Sequence, residues 1–200
     1  METMKKARTS ARSAGRRTGG RASEASGPDV LSLLHEDHEK VKGLFAQALE
    51  DKTSSASRTK LATQIVEELT LHAKLEETLF YPELRSASKR DTEERENVLE
   101  AYEEHAAMKD AIKRLQRGKA SPEEHKAKIQ VLCDLVEHHV QEEEGELFPE
   151  ARSLLGENEL RTIGAKVAEA KTKAQSGSRR SSSSRRKISA DGATSSRRKK

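Results

Sequence analysis

Two hundred residues with no tryptophan, three phenylalanines, two tyrosines and a single cysteine leave room for one domain with flanking segments and exclude an intramolecular disulfide. The net charge of +4 is laid out unevenly: residues 1–27 carry seven Lys/Arg against two Glu, residues 176–200 carry nine against one Asp, and residues 28–175 are left with −9. No apolar run approaches the roughly 20 residues of a membrane span.

Residues 1–27 are too polar to bury a core and read as a disordered basic segment. They lack the apolar stretch of a secretory signal, and the lone Cys133 gives no argument for an oxidising compartment, so a cytoplasmic location is expected. An organellar transit peptide is the lesser alternative. Order should begin near Pro28, where Ser26 and Asp29 resemble a capping box. Leu31, Leu34, His38, Val41, Phe45 and Ala48 then follow the 3-4 spacing of an amphipathic helix.

After a polar loop at Asp51–Ser57, the pattern predicts a second helix from about Arg58 to Leu84, with Leu61, Ile65, Leu69, His72, Glu76 and Leu79 inward. Ser86–Arg90 breaks it. Asp91 and Glu94 suggest the next cap, and Val98, Ala101, His105, Met108, Ile112 and Leu115 the inner face of a third helix, closed by Gly118. Ser121-Pro122-Glu123-Glu124 is the clearest start signal, a capping box with proline at the first helical position. Its helix points Ile129, Leu132, Val136, His139, Glu143 and Leu147 inward, and Gly156 ends that region. Leu160, Ile163, Val167 and Ala170 suggest a short fifth helix within 156–175, before a disordered Ser/Arg-rich tail at 176–200. The expected fold is all-α: an up-down-up-down four-helix bundle over residues 28–155.

The chain repeats itself at an offset of 67 residues. His38 falls on His105, His72 on His139, Glu76 on Glu143, Pro82 on Pro149 and Asp37 on Glu104. His72 and Glu76, like His139 and Glu143, stand one helical turn apart, about 6 Å along the axis. A carboxylate turned into an apolar interior is costly unless paired, and a metal ion is the partner that a neighbouring imidazole suggests. Four imidazoles and two carboxylates at one level of a bundle suit a dinuclear site, with iron or manganese favoured and zinc a lesser fit.

The segments LLHEDHEKVKGLF, HAKLEETLFYPELR, EEHAAMKDAI and HHVQEEEGELFPEAR resemble the helix segments of the hemerythrin-like, HHE cation-binding family, over roughly residues 29–155. The resemblance implies a non-haem di-iron centre, carboxylate-bridged, with His38, His72, Glu76, His105, His139 and Glu143 as metal ligands. The pattern is H…HxxxE…H…HxxxE, with Ala101 and Lys109 four residues either side of His105. It therefore departs from the five-histidine oxygen carriers, which places reversible oxygen carriage in doubt.

Around these six, His35 reads either as a further ligand or as a flank residue, and Tyr102 either as a donor to a metal-bound oxygen or as a core-edge tyrosine. Glu77 and Glu144 either orient the histidines or form an exposed acidic face. His138 should be on the surface, His125 solvated and Cys133 off the seam.

The expected function is engagement of O2, peroxide, NO or iron itself, in oxidative or nitrosative stress or iron handling. The alternatives are an enzyme that decomposes peroxide or oxidises ferrous iron, and a metal sensor associated with DNA or another polyanion through its basic tails. No membrane partner is expected, and the oligomeric state is left open.

Overall fold

A computed structural model describes residues 27–194, apart from 90, 91 and 119, with side chains described as far as Ser176. The basic N-terminal segment before Gly27 and the side chains of the C-terminal Ser/Arg run lie outside the described residues. Every regular element among the described residues is helical.

α1 (Val30–Leu49) starts on Asp29, whose carboxylate accepts from the Ser32 N–H at 2.9 Å. Asp29 is thus the cap itself; Ser26, expected to open the box, lies outside the described residues. α2 (Ser55–Leu75) is capped by Ser54 and begins three residues before Arg58. Arg58 is buried at the closed end of the hairpin, where Nε donates to Ala48 O at 2.8 Å and Nη2 to Glu50 O at 3.2 Å. It thereby satisfies carbonyls that the end of α1 leaves without partners.

The helix does not run on regularly to Leu84. At Glu76–Phe80 it opens into a π turn, the Tyr81 N–H reaching back five residues to Glu76 O, and resumes as α3 (Tyr81–Ala87). One extra residue in a turn rotates everything beyond it by about 100°. Phe80 and Tyr81 are consequently buried completely, and Leu79, expected inward, is only half-buried.

α4 (Glu93–Gln116) follows Thr92 at its N-cap; Asp91, the expected cap, lies outside the described residues. Its acidic first turn and basic last turn suit the helix dipole, and Gly118 closes the segment at φ 75°. α5 (Pro122–Glu142) has the expected capping box, with Ser121 Oγ accepting from the Glu124 N–H and Glu124 Oε2 from the Ser121 N–H. A second π turn, Glu143–Leu147, leads into α6 (Phe148–Thr194). Gly156, at φ 71° and ψ 168°, breaks the helical backbone within α6, so the first part of α6 ends there as expected, and a second part carries Leu160, Ile163 and Val167 and runs past the expected boundary at 175 to Thr194. No proline follows Pro149 to stop it, and arginine is a good helix former.

α1 and α2 form one hairpin and α4 and α5 the other, with α1 against α5 and α6 across α1 and α3. Two apolar layers result. One holds Val30, Leu34, Phe80, Tyr81, Leu84, Phe148, Leu160, Ile163 and Val167; the other holds Val41, Phe45, Ile65, Met108, Ile112, Ile129, Leu132 and Val136. Cys133 belongs to the second layer, at 5% exposure, and not to the surface. Buried His38, His72, Glu76, His105, His139 and Glu143 lie between residues of the two layers along their helices.

Candidate metal centre

All four imidazoles present Nε2 to one another and to the two carboxylates. The Nε2 atoms of His38 and His72 are 3.1 Å apart, and those of His105 and His139 are 3.3 Å apart. Glu76 Oε2 lies 3.1 Å from His72 Nε2 and 3.3 Å from His105 Nε2, so this carboxylate spans the two hairpins. Glu143 Oε2 does the same from the other side, 3.3 Å from His38 Nε2 and 3.7 Å from His139 Nε2. The donors fall into two groups, His38, His72, Glu76 and Glu143 in one and Glu76, His105 and His139 in the other, with Glu76 in both.

Behind each imidazole stands another carboxylate. His38 Nδ1 meets Glu144 at 2.7 Å, His105 Nδ1 meets Glu77 at 2.9 Å, His139 Nδ1 meets Glu104 at 2.8 Å and His72 Nδ1 meets Asp37 at 3.5 Å. These four obey the same 67-residue offset, Asp37 with Glu104 and Glu77 with Glu144. An imidazole whose Nδ1–H donates outward has a bare lone pair at Nε2. The centre is therefore a ring of lone pairs facing lone pairs. Both oxygens of Glu76 and Glu143 Oε2 are buried and accept no hydrogen bond. Spacings near 3 Å are those of neighbouring ligands on one first-row metal ion with bonds of roughly 2.1 Å. The donor set fits a cation and is strained without one.

Burial and the closeness of these groups to one another shift their pKa values in different directions. Burial raises the Glu76 carboxyl well above its usual range, and the neighbouring charge of Glu143 pushes it the same way. Burial works against charge on Glu143 too, but the adjacent His38 and the nearby imidazoles hold it low. Burial also brings the His105 imidazole down to about 4, helped by His139 and opposed by Glu77. His72 is lowered by burial; at His38 burial is outweighed by Glu143 and Glu144, which raise it.

One residue at the centre was not singled out from the sequence. Tyr81 is completely buried, and its hydroxyl donates to Glu143 Oε1 at 3.1 Å and lies 3.5 Å from His105 Nε2. The 67-residue offset pairs Tyr81 with Phe148. The two rings are structural counterparts, Tyr81 against His105 at 5.5 Å and Phe148 stacked on His38 at 6.1 Å. The π turn is what carries Tyr81 inward, so a regular helix could not reveal it. Burial, with the charges of Glu143 and Glu76, raises the Tyr81 hydroxyl well above its ordinary value and keeps it a donor.

Tyr102, by contrast, is half-buried, packs edge-on against Tyr81 and lies 3.4 Å from Glu77 O, away from the convergent donors. His35 also stands apart from them: its side chain is 55% exposed, and Nδ1 bonds to Glu144 at 2.9 Å. His138 is on the surface as expected, paired with Glu142 at 3.2 Å. His125 is half-buried at the far end of the bundle, where burial, Arg58 and Lys128 lower its pKa.

An apolar cavity of about 50 Å³ lies against the imidazoles, walled by Val41, Leu69, Met108, Ile112, Val136 and Val140. A water molecule in the liquid takes about 30 Å³, so the space suits a molecule of two or three heavy atoms.

A helical fold with a buried ring of imidazoles and shared carboxylates defines a cation-binding class of protein. The chain belongs to the hemerythrin HHE cation-binding domain family, whose model matches residues 29–151. A DNA nickase of Nostoc sp. is 30% identical over 148 residues, 74% of this chain and 40% of the nickase, so the match covers well under half of that relative. An uncharacterized protein of Mycobacterium tuberculosis is 26% identical over 70% of this chain and 83% of its own length. The crystal structure of an HHE cation-binding domain-containing protein from Mycobacterium kansasii superposes with a TM-score of 0.63 at 25% identity, covering 75% of this chain and 90% of that one. No helix among the described residues is long and apolar enough to cross a membrane.

Proposed function

We propose that this up-down-up-down bundle holds two non-haem iron ions, with Glu76 and Glu143 shared between them, His38 and His72 on one and His105 and His139 on the other. In this reading the centre engages O2, peroxide, NO or iron itself, in stress protection or iron handling. The supporting observation is the ring of inward Nε2 atoms and unbonded carboxylate oxygens, each imidazole fixed from behind by a carboxylate. Manganese suits the same donors, and zinc suits them less well. Bound iron would supply one-electron chemistry and a Lewis-acidic position. Around it, the apolar cavity would exclude water and limit the partner to a small molecule. Tyr81 holds Glu143 by its Oε1 and leaves Oε2 to the metal.

The test is the optical spectrum of the iron-loaded chain with and without azide or NO. New charge-transfer bands on adding the small ligand are expected; a spectrum unchanged by every such ligand would contradict an accessible centre. If the centre turns over peroxide, oxygen evolution will exceed that of free iron and be lost in Glu143→Ala.

The nickase relative favours a second reading, in which the Ser/Arg-rich end associates with DNA. Binding would then fall steeply with salt and disappear on deletion of residues 176–200. Binding that survives the deletion would remove this reading.

A further inference from the structure

The four carboxylates behind the imidazoles differ in what else they meet. Asp37 is sealed by Lys171 of α6 at 2.7 Å, a lysine that also donates to Leu33 O at 3.1 Å. Glu77 is paired with Lys109, and Glu144 is shared between His38 and His35. Glu104 has no lysine. Its Oε2 meets His139, while Oε1 is buried, accepts no hydrogen bond and lies 3.5 Å from His138 Nε2. Glu104, His138 and Glu142 thus bring three potential ligand atoms within 4.8 Å of one another.

Two of these three, Glu104 and Glu142, line a cavity of about 200 Å³ between α4 and the second π turn. Exposed Glu100 and Glu146 line it, with half-buried Glu104 and Glu142, and so do His139 and Glu143. Glu143 is itself only 1% exposed, and its Oε2 accepts no hydrogen bond. Acidic side chains therefore continue from solvent to the centre. The other approaches are less acidic: the cavity at the imidazoles is small and apolar, and the one reaching His38 between α1 and α5 sets Lys42 among Glu39, Glu137 and Glu144 and is walled by Phe45, Val136 and Val140, whereas no lysine or arginine lines the cavity beside Glu104. A cleft lined by one sign of charge concentrates counter-ions and can raise their on-rate by roughly 10-fold to 1,000-fold.

We propose that the acidic cavity between α4 and the second π turn is the uptake route for a hydrated divalent cation, with Glu104, His138 and Glu142 as the station where it exchanges water for protein ligands on its way to His139 and Glu143. The proposal rests on the metal-centre reading above and adds the path and direction of loading.

The test is stopped-flow uptake of Co(II) by the metal-free full-length chain, followed by the visible absorption of the bound ion. The triple variant Glu100→Gln, Glu142→Gln, Glu146→Gln should load about 10-fold or more slowly, reach the parent's final stoichiometry, and lose most of the parent's dependence of rate on salt. Glu50→Gln, Glu67→Gln, Glu159→Gln removes the same charge elsewhere and should load at close to the parent rate. Equal rates in the two triple variants would overturn the route while leaving the centre in place. Failure of the parent chain to bind Co(II) at all would overturn the metal-centre reading and the route with it.

Discussion

Tyr81→Phe deletes one buried oxygen and leaves the ring. Among the described residues that hydroxyl is the one donor to Glu143 Oε1, at 3.1 Å, and Tyr81 is wholly shielded from solvent. A buried hydrogen bond to a charged group contributes about 1.5–3 kcal/mol, and the orphaned carboxylate oxygen bears the loss. Steric cost should be negligible, because Phe148 already occupies the equivalent position against His38. The metal-free chain should therefore lose about 2 kcal/mol. In urea, with a chelator present, that is a fall in midpoint of roughly 1 M at a slope of about 2 kcal/mol/M. Tyr102→Phe is the control: its hydroxyl is half-buried and 3.4 Å from Glu77 O, and its removal should cost less than about 0.5 kcal/mol. Equal shifts in the two variants would refute the assignment of Tyr81 as the residue that holds Glu143.

The metal-free chain should lose stability as pH falls from 6.5 towards 4. His105 takes its proton near 4 when folded but near 6.5 when unfolded, so the unfolded chain gains protons first; the loss should approach about 3 kcal/mol and be smaller in His105→Gln, read by urea titration at several pH values. Gly164→Ala should cost about 2 kcal/mol in thermal unfolding, because its Cβ would fall 2.9 Å from Asp29 C and Val30 N at the start of α1. Gly43→Ala, facing open space inside α1, should stabilise by about 0.5–1 kcal/mol in the same experiment. The Cys133 thiol is buried and pushed up to about 12 by burial and Glu137, so alkylation of the folded chain at pH 8 should be far slower than in urea; equal rates would place the thiol on the surface.

The helices and the six inward donors were legible because each depends on spacing. Seams such as Leu31–Leu34–His38–Val41 and the capping box at Ser121 are local patterns, and the 67-residue offset relates the two halves within the sequence itself. The π turns were not legible, since a helix that widens by one residue keeps the same composition. Their consequence, the exchange of Leu79 for Phe80 and Tyr81 in the core, had one trace: the aromatic Tyr81 aligns with Phe148 when the offset is held strictly at 67. The supporting carboxylates Glu77 and Glu144 were ambiguous, because an acidic residue beside a ligand reads equally as solvated surface. His35 and Tyr102 carried two readings each for a related reason: each lies one turn from a convergent histidine, and a neighbour one turn away need not reach the same level of the interior.

The central claim is that six side chains from two hairpins hold a pair of metal ions. Metal analysis of the purified full-length chain, beside His72→Ala and His139→Ala, tests it most directly. About two iron or manganese ions per chain are expected, falling in both variants, as the loss of one imidazole opens either half of the centre. A parent chain that is metal-free, takes up no iron on reconstitution, and is as stable as either variant would contradict it.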